Sequence, residues 1–122
     1  MEGKMTKREE IFTYVKDTYG TEPDYPWAKF PNYAVLRHSE ETWYGLIMNV
    51  PREKLGLSGD GSVDVIDLKG DPDFIDDLKS KDGVLPAYHM NKKHWISIVL
   101  DSSFPTSDIY NLINSSFEST KE

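Results

Sequence analysis

The chain has no cysteine, which rules out disulfides, thiolate metal sites and cysteine nucleophiles and gives no sign of an oxidising compartment. It also lacks any apolar run approaching the roughly 18 residues needed to span a bilayer, and the opening residues Met1 to Glu10 lack the apolar core of a secretion signal. A soluble, cytoplasmic protein without a membrane partner is the expectation. Positive charge is scarce: 14 Lys and Arg stand against 21 Asp and Glu, a formal net charge of −7, which weighs against a surface attracting phosphate everywhere. The nucleotide fingerprints G-x-x-x-x-G-K-[ST] and G-x-G-x-x-G are missing, as are the G-x-S-x-G nucleophile elbow and the H-E-x-x-H metal pair.

A length of 122 residues suits one domain, 1–122, with a core over about 6–118 and a frayed tail at 119–122. Thr6 to Glu9 reads as a capping box opening a helix over 6–19, with Ile11, Phe12, Val15 and Tyr19 on one face and Gly20 as its stop. Pro23, Pro26 and Pro31 hold an irregular stretch in which Trp27 and Phe30 are large enough to act as anchors. Strand-like runs at 33–38 and 43–50 flank the turn Ser39 to Thr42 and predict a hairpin. Simple alternation puts Tyr44, Leu46, Met48 and Val50 on one face and Trp43, Gly45, Ile47 and Asn49 on the other. A helical turn at 51–57, a tight turn at Gly59 to Gly61 and a strand at 63–68 follow. Asp71-Pro72 caps a helix ending near Asp82-Gly83, with Phe74, Ile75 and Leu78 as its buried edge. A loop through Pro86 leads to a strand at 94–100, and Pro105 or Ser107-Asp108 opens a last helix carrying Ile109, Leu112, Ile113 and Phe117.

This order predicts an α+β fold, an antiparallel sheet with helices packed on one face. The other face is left either as an open partner surface carrying Trp43, Ile47, Trp95 and Val99, or closed over by residues such as Trp27 and Phe30.

The densest chemistry lies at Tyr88-His89-Met90-Asn91-Lys92-Lys93-His94-Trp95. Lys92 and Lys93 suit phosphates, Asn91 suits an adenine edge or a turn cap, and Tyr88 or Trp95 suits base stacking. The same lysines also fit a solvated hairpin tip with Trp95 packed beside it. Two runs free of acids, Pro26 to Ser39 with Lys29, Arg37 and His38, and Val84 to Leu100, would make one positive patch if they meet in space. His89 and His94 lie five apart across an expected bend, which is no helical metal pair, and no nucleophile accompanies either. No cofactor, metal or catalytic residue is assigned, and a monomer is expected.

Tyr25-Pro26-Trp27, Tyr33-Ala34-Val35, Trp43 to Ile47, Val63-Asp64-Val65, Leu68 to Pro72 and Pro86 to Trp95, with its Y-H-M-N-K-x-H-W core, resemble the MmcQ/YjbR family over about residues 7–117. The resemblance implies a small bacterial α+β domain of CyaY-like (frataxin-like) fold that carries a DNA-binding label. It places the family motif on Tyr88, His89, Met90, Asn91, Lys92, His94 and Trp95, with Lys69 as a further polar candidate. Gly70 stands where many relatives have cysteine, and Phe117 where the usual residue is tyrosine. The acidic first helix of an iron-binding frataxin is not matched by Lys7-Arg8-Glu9-Glu10, so iron is not carried over. The expectation is a non-enzymatic binding domain for nucleic acid, through Lys69, Tyr88, His89, Asn91, Lys92, Lys93, His94, Trp95 and Arg37. The alternatives are a protein- or small-molecule-binding module using the open face, or an enzyme.

Overall fold

The computed structural model describes residues 6–39 and 42–121; of the hairpin turn, Glu40 and Glu41 lie outside the described residues, as do Met1 to Met5 and Glu122. The elements are α1 (Arg8–Tyr19), β1 (Ala34–Arg37), β2 (Trp43–Pro51), β3 (Ser62–Lys69), α2 (Pro72–Leu78), β4 (Val84–Pro86), β5 (Trp95–Val99) and α3 (Thr106–Ser119), with a 3-10 turn at Arg52–Leu55. The strands form one antiparallel sheet in the order β1-β2-β3-β5-β4. The expected α+β fold is the one observed. No helix among the described residues is long and apolar enough to cross a membrane.

The helices share one face of the sheet. Ile11 and Val15 of α1 and Ile109, Leu112 and Ile113 of α3 pack with Leu36, Tyr44, Ile47, Ile66, Leu68, Ile96 and Ile98 of the strands. Arg8 clamps α1 to β3 through a two-pronged pair with Asp64, at 3.0 and 2.9 Å. Burial pushes the Asp64 carboxyl up, but hydrogen bonds from Arg8 and Asn49 and the charge of Arg8 outweigh it and hold the group below its usual value.

Several expectations are corrected. Helix α1 is capped one residue later: the Lys7 N–H donates to Glu10, whereas Thr6 is buried and its hydroxyl meets that of Thr106. Gly20 closes α1 at φ +73, a conformation that suits glycine. Helix α2 ends at Leu78 rather than near Gly83, and Phe74 is exposed, leaving Ile75 and Leu78 as the buried edge. The loop through Pro86 contains the short edge strand β4, where proline is tolerated because one side of the strand has no neighbour. The tail is held through Thr120, whose buried hydroxyl bonds the Ser116 carbonyl and, at 2.7 Å, the His38 ring.

Simple alternation also fails in β2. Leu36 pairs with Gly45 but Arg37 pairs with Trp43, so Tyr44 is an extra residue, a bulge. The bulge turns Tyr44 to the helix side with Ile47, and returns Trp43 to the opposite side with Leu46, Met48 and Val50. Ser116 of α3 bridges the gap where the β2–β3 ladder stops, donating to the Tyr44 carbonyl at 2.6 Å and accepting from the Lys69 N–H at 3.0 Å.

Candidate functional site

The face away from the helices is covered rather than open. Val35, Leu46, Met48, Val50, Val63, Val65 and Val99 are all buried there, under Trp27, Tyr33, Trp43, Leu85, Tyr88 and Met90. Of the four residues expected on an open surface, Ile47 lies on the helix side and Val99 is buried. The covering side chains come from the two acid-free runs, which do meet in space with the Tyr33 and His89 rings 6.5 Å apart, together with Trp43 of β2 and Leu55 and Leu57 beyond it. The two runs meet through aromatic and apolar side chains.

Between them lies a cavity of about 350 Å3. Leu46 and Met48 lie on the sheet, Trp27, Tyr33 and Trp43 form walls, and Phe30, His89 and Met90 complete the lining. Trp27 meets Tyr33 at 84° and Trp43 at 77°, with ring centroids 6.2 and 5.7 Å apart, and Phe30 stacks on Tyr33 at 4.7 Å. His89 reaches the cavity with φ +67, left-handed backbone that costs a residue with a side chain about 1 kcal/mol.

Asp67 lies on the same face, opposite Leu46 on β2 and Ser97 on β5. It is fully buried. Its Oδ1 accepts a short hydrogen bond from the Ser97 hydroxyl, which accepts in turn from the Tyr88 N–H at 2.8 Å. Its Oδ2 has no hydrogen-bond partner among the described residues. Burial pushes the carboxyl up to about 7, against the Ser97 hydrogen bond and the charge of Lys92, which pull it down.

The segment Asn91 to His94 is an exposed tight turn. The Asn91 side-chain oxygen accepts from the N–H of Lys93 at 2.8 Å and of His94 at 3.3 Å, and its carbonyl accepts from Trp95 at 2.9 Å. Asn91 is therefore a turn cap, the second of its two expected roles. Lys69 pairs with Trp95 across the β3–β5 ladder, and the Gly70 N–H donates to the His94 carbonyl. Lys69, Tyr88, His89, Lys92, Lys93, His94 and Trp95 thus gather around one end of the sheet. Arg37 does not join them. It stands three strands across from Trp95, roughly 14 Å at the usual strand spacing, and pairs with Asp24.

Asp67, Tyr33 and Met48 were not singled out from the sequence as site residues, whereas Trp43 was placed on the expected partner surface and Met90 in the family motif. The signal for Asp67 is its phase: it alternates with Val63 and Val65, a carboxylate on an apolar stripe.

The YjbR family model matches residues 16–119. The chain is 58% identical over 118 residues to the uncharacterised protein YyaQ of Bacillus subtilis, a match covering 96% of this chain and all of that protein. It is 37% identical over 54 residues to the uncharacterised protein YjbR of Escherichia coli K12, covering 43% of this chain and 46% of the other. A crystal structure of a Pseudomonas syringae protein, 47% identical, superposes with a TM-score of 0.93 over 95% of this chain and all of that one. Deinococcus radiodurans DR2400, 19% identical, shares the fold at a TM-score of 0.67 over 93% of this chain and 77% of its own. With that family model matched over most of its length and a full-length relative sharing more than half of its residues, the chain belongs to the YjbR family.

Proposed function

We propose that the chain is a non-enzymatic binding domain whose site is the cavity on the loop-covered face, and that its ligand is a small, largely apolar molecule. The observation that carries this reading is the composition of the lining, aromatic, aliphatic or thioether except for His89. Its volume of about 350 Å3 falls in the range of small-molecule sites, which are commonly apolar with a few placed polar groups. Two features support it further. Phe30, at 48% exposure, leaves a large apolar ring open to solvent at the cavity. The family motif supplies His89 at a backbone angle that has a cost, and such angles cluster at functional sites. The test is an NMR titration with indole as the probe: the Trp27 and Trp43 indole N–H signals move and saturate, and unmoved signals at millimolar indole would count against the cavity.

Nucleic acid is the second reading, favoured by the exposed turn Asn91 to His94 and the absence of acids over 84–100. Titration with a mixed-sequence DNA duplex tests it. Phosphate binding predicts shifts at Lys69 and Asn91 to Trp95 that weaken steeply with salt and vanish in the Lys92→Ala, Lys93→Ala double variant. An unmoved spectrum at low salt would sink it.

A further inference from the structure

We propose that Asp67 and Ser97 form a pH-sensitive latch under one wall of the cavity: with Asp67 protonated the pair holds Tyr88, His89 and Met90 closed, and ionisation of Asp67 releases them. His89 and Met90 line the cavity, so the inference rests on the cavity being the binding site and names a regulation of it.

Three observations carry it. Among the described residues, one hydrogen bond ties this segment down, from the Tyr88 N–H to the Ser97 hydroxyl at 2.8 Å; His89 and Met90 make none. That hydroxyl is buried and is itself fixed by donating to Asp67 Oδ1, so a buried acid stands behind the tether. Next, the segment is strained: His89, at φ +67, is the only residue other than glycine with positive φ among the described residues, and opening lets it relax. Finally, Asp67 Oδ2 is buried without a hydrogen-bond partner. A neutral carboxyl bears that far better than a carboxylate, whose missing hydrogen bonds water supplies once the segment lifts. The upward push of burial on the Asp67 carboxyl has the direction this requires. Directly opposite Asp67 the sheet presents Leu46 and Ser97, neither of them charged. The charged and titratable groups around it are Lys69 two residues along β3, Tyr33 ahead of β1, and Tyr88, His89 and Lys92 of the segment and its turn. Lys92 attracts the ionised form, which opposes opening, but makes no hydrogen bond to Oδ2.

The test follows hydrogen exchange of the Tyr88 amide by NMR in the full-length chain from pH 5 to pH 8, corrected for the intrinsic rate at each pH. The Ile66 amide, in the middle of the sheet, is the reference for unfolding of the whole chain. The latch predicts that Tyr88 exchanges faster than Ile66, through an opening that grows about tenfold per pH unit up to about pH 7 and then levels off. That form follows because the closed state keeps its proton to a higher pH than the open one. Asp67→Asn should flatten the rise. The variant keeps His89 and Lys92, so a rise that persists in it belongs to those groups and overturns the latch. Tyr88 exchange equal to that of Ile66 at every pH overturns it too, a result read on the unaltered chain whether or not the variant folds. Saturating indole should slow Tyr88 exchange; indole that moves the Trp27 and Trp43 signals without slowing Tyr88 overturns the link between latch and cavity. Unmoved Trp27 and Trp43 signals overturn the cavity reading instead, and the pH dependence of Tyr88 still decides the latch.

Discussion

Replacing Asp67 with asparagine separates the electrostatic cost of the buried acid from its structural contribution. Burial raises the carboxyl from 3.8 to about 7, a difference of roughly three pH units at about 1.4 kcal/mol each, so the ionised form costs the fold about 4 kcal/mol. The sign follows from the folded value lying above the unfolded one. Stability from this group is fully present below about pH 4, is lost as pH rises toward 7, and stays constant above. Asparagine is neutral at every pH and keeps an oxygen for the Ser97 hydroxyl, but its amide buries donors where Oδ2 has no partner, which costs about 1–3 kcal/mol. Asp67→Asn therefore stabilises the protein by about 1–3 kcal/mol at pH 8 and destabilises it by a similar amount at pH 4. Other groups, including the low-titrating Asp64, are common to both proteins and cancel in the difference. Urea unfolding followed by far-ultraviolet circular dichroism at the two pH values measures it. A difference of the same sign and size at both would refute the account of Asp67 as a strongly perturbed buried acid.

Ser116→Ala removes the bridge between the Tyr44 carbonyl and the Lys69 N–H, leaving two backbone groups without their partner, and should lower stability in urea by about 2–4 kcal/mol. Gly83 has φ +85 and a Cβ there would collide with the Ser102 hydroxyl, so Gly83→Ala should cost about 2 kcal/mol or more and lower the melting temperature, whereas Gly20→Ala, with open space around it, should cost about 1. Arg8→Ala should destabilise by about 2–3 kcal/mol at pH 7. Because the Asp64 carboxyl is held low, that loss should shrink as pH falls below the usual carboxylate range; a loss of equal size at pH 2.5 and pH 7 would contradict the clamp.

Much of the fold was legible because its signals are local. The Asp71-Pro72 cap, the Gly20 stop and the apolar spacing of α3 each depend on a few neighbouring residues, and each is observed. The faces of β2 were misread because strict alternation cannot anticipate a bulge, and the extra residue Tyr44 reversed the side assigned to Trp43. The loop-covered face was only half legible. Trp27 and Phe30 were recognised as anchors, but what they cover depends on the pairing of distant strands. The turn at 91–94 drew attention for its charge, yet Asn91 is spent on holding the turn. The neighbouring cavity is built from residues as far apart as Trp27 and Met90, which only the tertiary fold brings together.

The central claim is that the covered-face cavity is a ligand site, and its methionines report on it most directly. Met48 and Met90 both line the cavity, and in protein carrying 13C-labelled methionine methyl groups their signals can be followed during titration with indole. Ligand binding in the cavity predicts saturable shifts of both signals at one common dissociation constant. Signals of Met48 and Met90 that stay fixed through millimolar indole would contradict it.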